Sequence, residues 1–157
     1  MKFEGCGVIQ NIKEIKKYIL VTLSDKNETI INLQVPYSSK KSISLNERLL
    51  FSGNINEDGI IVADFVGRAY LEPLGFNFST NNEEVFSYSK RGDFIKLDIK
   101  APLFDRTHKT FSLLGKFGSD EVSRRVLSYV ESKKVSLKGF MAKNVLVMTS
   151  IEKPHEV

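Results

Sequence analysis

The stretch LLFSGNINEDGIIVADF at residues 49–65 decides the fold, because the same pattern returns as VSLKGFMAKNVLVMTSI at residues 135–151. Each copy reads as a strand with a glycine near its end, then a short polar turn, then an apolar strand. A glycine in that position marks a bulge or sharp bend, since it tolerates the backbone angles and close approach that a bend requires. Small β-barrels need such bends to close. The repetition therefore predicts two small barrels built on one plan.

The first half of the chain alternates β runs with turn signals. Ile31, Leu33 and Val35 share one face of an alternating segment, which is the pattern of a half-buried strand. Residues 37–47 are polar and predict a loop with at most a short helix. We expect a first barrel over residues 1–72, with five strands at residues 3–12, 18–23, 29–35, 49–53 and 60–70.

Residues 73–92 are the best candidate for a boundary between the two halves. They contain Pro73, Gly75 and a cluster of Thr and Asn, which are turn and loop signals. They also carry three phenylalanines, which a fully solvated linker would not. We therefore expect a connector, part of which packs against a domain or forms an extra strand. Its three phenylalanines are Phe76, Phe78 and Phe86.

The second barrel is expected over residues 93–157. The odd-numbered residues from 95 to 101 are apolar and face inward, whereas Phe94, Lys96, Asp98 and Lys100 face outward. Residues 109–117 continue as one or two strands. Residues 119–134 predict a helix, with a serine N-cap, acidic residues in the first turn and lysines in the last. The second copy of the hairpin pattern supplies the last two strands.

Length and composition favour one or two small intracellular domains. The chain has 157 residues, of which 41% are hydrophobic, and this is enough for a packed core. No apolar run approaches the roughly 18 residues that span a bilayer, and the first residues lack the apolar core of a signal peptide. We therefore expect a location in the cytoplasm or nucleoid and no membrane partner. The single cysteine, Cys6, is interpreted as a buried strand residue, with a reactive thiol as the alternative.

Charge is distributed unevenly along the chain. Residues 1–75 carry nine Lys or Arg and nine Asp or Glu, so their net charge is zero. Residues 90–143 carry thirteen Lys or Arg and six Asp or Glu, a net charge of +7. A basic half is the electrostatic footprint of a protein that binds a polyanion, although a basic surface without a partner is the alternative.

Five strands with a loop or helix between the third and fourth is the order of the OB-fold, a small Greek-key barrel. The chain resembles this family over residues 3–71 and 94–151, and the predicted helix lies where the family places its helix. The second unit is similar to the single-stranded-DNA-binding proteins of bacteria and phages, and the pairing of two units resembles replication protein A subunits. The resemblance implies a mostly β protein with two five-stranded Greek-key barrels in tandem.

Single-stranded nucleic acid would bind such a barrel through two kinds of contact. Lys and Arg neutralise phosphates, and aromatic rings stack on bases. One strand carries three outward-facing candidates at alternate positions, Phe94, Lys96 and Lys100. We hypothesise that these and nearby residues line a single groove. Phe111 and Phe140 could instead fill a core or a domain interface. The full predicted set is Lys90, Arg91, Phe94, Lys96, Lys100, Arg106, Lys109, Phe111, Lys138 and Phe140.

A second, weaker patch is predicted in the first half. Two lysine pairs lie in the loops that, in an OB-fold, flank the face formed by the second and third strands. Ordinary exposed loop lysines are the alternative, and this neutral half could contact a protein instead. The residues are Lys16, Lys17, Tyr18, Tyr37, Lys40, Lys41 and Arg68.

Catalytic and metal-binding patterns are absent from the sequence. Two histidines, His108 and His155, and one cysteine do not make a standard zinc site. Asp93, Asp98 and Asp105 could in principle hold a divalent ion, but Asp98 alternates with lysines on an outer strand face. Neither a nucleotide-binding glycine loop nor a nucleophile elbow occurs. We expect no catalysis, no metal and no cofactor.

The sequence thus favours a tandem OB-fold protein that binds single-stranded nucleic acid, DNA more than RNA, in replication, recombination or repair. Binding should have low sequence preference and weaken steeply with salt. The alternative is an adaptor whose barrels dock onto a larger replication or transcription protein, since the fold alone does not determine function. Replication and repair proteins are candidate partners, and the oligomeric state is left open.

Overall fold

The computed structural model describes residues 1–117, residue 128 and residues 134–152. The chain divides into two compact units. The N-terminal unit comprises Lys2–Asn77 and Leu103–Asp105, and the C-terminal unit comprises Met1, Phe78–Pro102 and the described residues from Arg106 onward. Within these parts of the chain, no helix has the length and apolar character needed to cross a bilayer.

The N-terminal unit is a closed ring of five strands in the order β1-β2-β3-β5-β4, with β1 also paired to β4. The β3–β5 pair is parallel and the other pairs are antiparallel. This connectivity is that of the OB-fold. A 3₁₀ helix at Tyr37–Ser42 follows β3. The strands are β1 (Lys2–Ile15), β2 (Tyr18–Ser24), β3 (Ile30–Pro36), β4 (Arg48–Ile55) and β5 (Ile61–Ala69).

The C-terminal unit repeats this ring in the order β6-β7-β8-β10-β9, with β6 also paired to β9. Its β8–β10 pair is parallel, as the β3–β5 pair is in the first ring. The prediction of two five-stranded OB-type barrels is therefore confirmed. The predicted helix at residues 119–134 lies, apart from residue 128 and Lys134, outside the described residues. The strands are β6 (Gly75–Arg91), β7 (Phe94–Pro102), β8 (His108–Lys116), β9 (Lys134–Ala142) and β10 (Val145–Glu152).

Alternation of apolar and polar residues builds both cores. Along β7 the side chains of Ile95, Leu97 and Ile99 are fully buried, and the residues between them face outward. On β3, Ile31, Leu33 and Val35 are buried in the same way, which confirms the predicted faces. Cys6 on β1 is also buried, as expected, and this burial raises the pKa of its thiol.

The two repeated glycines each lie opposite a β-bulge, as predicted. In the first ring, β5 has one extra residue, Asp64, opposite the step from Ser52 to Gly53. In the second ring, β10 has one extra residue, Thr149, opposite the step from Lys138 to Gly139. The bulged strand bends around the glycine so closely that an added Cβ at either glycine would overlap a backbone carbonyl. The same device therefore closes both barrels.

Residues 73–92, expected to be a connector, are mostly strand. β6 runs through Gly75–Arg91 and its later part is the first strand of the C-terminal ring. Phe76, Phe78 and Thr80 are buried at a spacing of two, so an alternating core face runs through a segment whose other positions are rich in Asn, Ser and Glu. Those polar residues dominate the composition, and this explains why composition predicted a boundary.

Candidate nucleic-acid interface

Residues that point outward from β6, β7 and β8 form a basic and aromatic surface on the C-terminal unit, which we call the β7 face. In antiparallel strands, directly paired residues lie on the same side of the sheet, so the register places them in rows. The four rows are Arg91, Phe94 and Lys116; Ser89, Lys96 and Leu114; Ser87, Asp98 and Ser112; and Glu84, Lys100 and Thr110.

Phe94 is the centre of the first row. Its side chain is 48% exposed, and the cross-strand partners on its two sides are Arg91 and Lys116. The Lys116 Nζ atom lies 5.9 Å from the centroid of the Phe94 ring. An exposed ring between two cations can stack on a base while the cations contact the adjacent phosphates.

The second row extends this arrangement into a depression of ≈ 380 Å³ beside Phe94. Lys96 contributes a cation and Leu114 an apolar wall, and the depression is lined by Ser89, Arg91, Phe94, Lys96 and Leu114. The lining therefore combines an aromatic ring, two cations, a hydroxyl and an apolar side chain.

The third row places a carboxylate among these cations. Ser112 Oγ donates a hydrogen bond to Asp98 Oδ1 at 2.5 Å, and Ser87 Oγ donates one to Asp98 Oδ2 at 2.7 Å. These two bonds, with a smaller contribution from the charge of Lys96, hold the pKa of Asp98 below its ordinary value. Asp98 is therefore ionised at neutral pH and its carboxylate is fixed in orientation.

Replacing Asp98 by Asn should make the stability of the protein less sensitive to acid. The pKa of Asp98 is lower in the folded chain than its ordinary value of 3.8, so the carboxylate stabilises the fold above that value. This contribution is lost as the pH falls through the lowered pKa. Urea unfolding at neutral pH and at a pH below the lowered pKa should show a smaller acid-induced loss of unfolding free energy in Asp98→Asn than in the original protein. Equal losses would contradict the role of the serine bonds.

The fourth row ends the face with a second ring. A β-bulge between Val85 and Ser87 sets Phe86 out of the ladder, and its side chain is 65% exposed. The Lys100 Nζ atom lies 5.6 Å from the centroid of the Phe86 ring. Lys100 is directly paired with Glu84 on β6, which offsets part of its charge.

The structure brings together four of the ten residues predicted for the main site, namely Arg91, Phe94, Lys96 and Lys100. Lys90 is exposed but pairs with the buried Ile95, so it projects from the opposite side of β6. Arg106 lies in the turn after β7, at the far end of that strand from Phe94, and has a positive φ of 72°.

The predicted placement of Phe111 and Lys109 in the groove is wrong. They pair with Ile99 and Ala101, whose side chains point into the barrel, so they project from the side of β8 opposite to the β7 face, where Phe111 is half-buried and Lys109 is exposed. The Lys109 Nζ atom is 5.8 Å from the Phe111 ring centroid, so the two do contact one another. A shift of one residue moves a side chain to the other face of a sheet. The sequence alone does not determine the phase of β8, because Leu113 and Leu114 are adjacent and both apolar.

Lys138 and Phe140 point outward, as predicted, but not into the same groove. Both are on β9, which is separated from β7 by β6 on one side of the ring and by β8 and β10 on the other. In a closed ring of five strands the outward direction turns by about 70° from one strand to the next. The two residues therefore belong to a different wall of the barrel from the β7 face.

Sequence reasoning missed Lys116, Leu114 and Phe86. Lys116 and Leu114 lie on β8 with the even-numbered residues that face outward, and the sequence gives no clear sign of which parity of β8 does so. Phe86 was assigned to the connector, and its exposure depends on a bulge for which the sequence carries no glycine.

The weaker patch is gathered at one end of the N-terminal barrel. Lys16 and Lys17 form the turn between β1 and β2, Tyr18 pairs with Pro36, and the 3₁₀ helix that carries the remaining loop residues follows directly. β3 and β5 are parallel, so both strands end at the same side of the barrel. The 3₁₀ helix that follows β3 and Arg68 near the end of β5 therefore lie at that side. The patch is Lys16, Lys17, Tyr18, Tyr37, Lys40, Lys41 and Arg68.

Two cations of this patch have protein partners. Lys40 Nζ lies 2.6 Å from Glu14 Oε1 and 5.4 Å from the Tyr37 ring centroid, and the bond to Glu14 is the main cause of a raised Lys40 pKa. Arg68 donates a hydrogen bond to the Lys41 carbonyl oxygen at 3.1 Å. These contacts hold the loop in place, and the Glu14 carboxylate offsets part of the charge of Lys40.

Among the residues described, no three His, Cys, Asp or Glu side chains lie close enough together to share a metal ion. His155 lies outside the described residues. The β7 face offers a ligand two exposed rings, four cations, serine hydroxyls and one hydrogen-bonded carboxylate.

No protein-family model and no curated protein matches the chain. Among solved structures, the chain is similar to the tetrameric p202 HIN2, with 11% identity, a TM-score of 0.36, and coverage of 96% of this chain and 94% of that one. It is also similar to a chain from a structure described as "Molecular basis for abrogation of activation of pro-inflammatory cytokines". The identity is 11%, the TM-score is 0.31, and the match covers 97% of this chain and 91% of that one. The OB-fold assignment rests on the strand order of the two rings.

Proposed function

We propose that the protein binds single-stranded nucleic acid on the β7 face and catalyses no reaction. The expected ligand is single-stranded DNA, held during replication, recombination or repair. The observation that carries the proposal is the exposed Phe94 ring with Arg91 and Lys116 as its direct cross-strand neighbours. A stacking ring flanked by cations serves bases and phosphates at once.

The charge of the β7 face supports a polyanion ligand. Its four rows carry four cations against the carboxylates of Glu84 and Asp98. The Asp98 carboxylate is bonded to two serine hydroxyls, so it does not fold over onto a neighbouring lysine. Phosphate contacts by the cations release counterions, and affinity should therefore fall steeply between low and physiological salt. An affinity that ignores salt would contradict the proposal.

Replacing Phe94 by Ala should weaken binding of a fluorescein-labelled oligo-dT roughly tenfold, because stacking contributes about 1–3 kcal/mol per base. Fluorescence anisotropy measures the affinity. Phe140→Ala is the matched control, since Phe140 is comparably exposed on another wall of the same barrel. We expect it to bind like the original protein. Equal affinities for all three proteins would remove the β7 face from the site, and competition with RNA of equal length would test the preference for DNA.

The second candidate function is that of a protein adaptor, favoured by an apolar stripe on the C-terminal barrel. Leu114, Val147 and Phe140 are in register across β8, β10 and β9, and Leu114 and Phe140 are exposed. Contiguous exposed apolar side chains are typical of protein interaction sites. The same titration separates the two functions, because no oligonucleotide binding at tens of micromolar protein in low salt would favour the adaptor.

A further inference from the structure

A carboxylate in the middle of a basic face needs a physical explanation. Asp98 occupies the third row of the β7 face, between Lys96 in the second row and Lys100 in the fourth. An ionised carboxylate there repels phosphates, so its presence weakens general polyanion binding. Charge balance alone would be served by a freely rotating side chain, whereas Asp98 is held by a serine on each neighbouring strand.

The serine bonds leave each oxygen of this outward-facing carboxylate with unused acceptor capacity. Each oxygen accepts one hydrogen bond, from Ser112 to Oδ1 and from Ser87 to Oδ2. A carboxylate oxygen has two lone pairs, so one position on each oxygen stays open. Since the hydroxyl hydrogens are directed at Asp98, the row offers a ligand two parallel acceptors and no competing donor from these two serines.

Two parallel acceptors distinguish the four bases by their Watson–Crick edges. Guanine has two adjacent donors, N1–H and the N2 amino group, which match a carboxylate in bidentate fashion. Adenine and cytosine each place one amino donor beside a ring nitrogen acceptor, and thymine places one donor between two carbonyl acceptors. An acceptor facing the carboxylate is repelled, so guanine alone satisfies both oxygens.

We propose that Asp98, positioned by Ser87 and Ser112, reads the Watson–Crick edge of one guanine in the bound strand; this rests on the proposed function. Asp98 lies four residues from Phe94 on β7, which is about 13 Å along a strand. The guanine is therefore not the base stacked on Phe94 but one further along. The rest of the face binds without base preference, so the protein has one selective position in an otherwise tolerant site.

The test compares four oligonucleotides, d(TTG), d(TTA), d(TTC) and d(TTI) repeats of equal length, in lithium buffer so that guanines do not associate. Inosine lacks the N2 amino group. We expect the original protein to bind the guanine repeat about tenfold more tightly than the other three, as for a bidentate base contact. Asp98→Asn should abolish this preference and bind the other three more tightly, because a repulsive charge is removed.

Glu84→Gln is the control, because it removes a charge from the same face without touching the serine row. It should tighten binding of all four repeats equally and keep the guanine preference. Equal binding of the four repeats by the original protein would overturn the guanine assignment and leave the proposed function standing. A preference that survives in Asp98→Asn would overturn it as well. Failure of every repeat to bind at low salt would overturn the proposed function itself.

Discussion

Reversing the charge of Arg91 and Lys96 together, as Arg91→Glu with Lys96→Glu, is expected to weaken oligo-dT binding on the order of a hundredfold at about 50 mM salt. Both side chains line the depression beside Phe94, so a strand stacked on that ring passes within reach of both. Each lost phosphate contact removes released counterions, and the slope of log affinity against log salt should become shallower by about 1.4. Anisotropy titrations over a range of salt concentrations measure both quantities.

The control for this variant is Lys26→Glu with Lys138→Glu, which changes the net charge by the same amount. Lys26 is exposed in the turn after β2 of the N-terminal unit, and Lys138 is on β9, away from the β7 face. If the β7 face is the site, the control should bind within about twofold to threefold of the original protein, because neither lysine belongs to that face and salt screens exposed charges. Equal losses in the two double variants would mean that net charge, and not this face, determines binding.

Strand faces were predictable where apolar and polar residues alternate without interruption. On β7 the odd-numbered residues from 95 to 101 are all apolar, and only one register buries them. The outward placement of Phe94, Lys96 and Lys100 follows from that burial. β8 lacked this clarity, because Phe111 and Leu114 are both apolar and of opposite parity, and Leu114 is the one that faces water.

The grouping of strands around the ring was not predictable from local pattern. Phe140 has the outward parity expected for it, but its distance from Phe94 depends on the order β8-β10-β9, which is set by a parallel pairing between strands far apart in sequence. β6 was not predicted as a strand for another reason. Its buried face consists of Phe76, Phe78 and Thr80, and the polar residues between them give the segment the composition of a loop. The bulges at Gly53 and Gly139 could be predicted from sequence, because the paired strand comes so close at a bulge of this kind that only glycine fits.

Replacing Gly139 by Ala is expected to lower the free energy of unfolding of the C-terminal barrel by at least about 3 kcal/mol, beyond the usual range for overpacking. A Cβ there would lie 1.9 Å from the Val147 carbonyl oxygen and 2.7 Å from the buried Phe78 ring. The carbonyl belongs to the backbone of the paired strand, so it cannot rotate away, and relief requires opening of the β9–β10 ladder at the bulge. Gly53→Ala should act in the same way on the other barrel, since its Cβ would lie 2.2 Å from the Val62 carbonyl oxygen.

Gly75→Ala is the matched control for both glycine variants, because an added Cβ at Gly75 meets no atom within 4 Å. It should leave stability unchanged or raise it slightly, since alanine restricts the unfolded chain. Urea unfolding followed by circular dichroism measures all three, and the chain has no tryptophan to report on it by fluorescence. If Gly139→Ala and Gly75→Ala unfolded at the same urea concentration, β10 would be able to move away from the added methyl group at the bulge. The repeated glycine would then reflect a tolerated residue and not a close approach that the bulge requires.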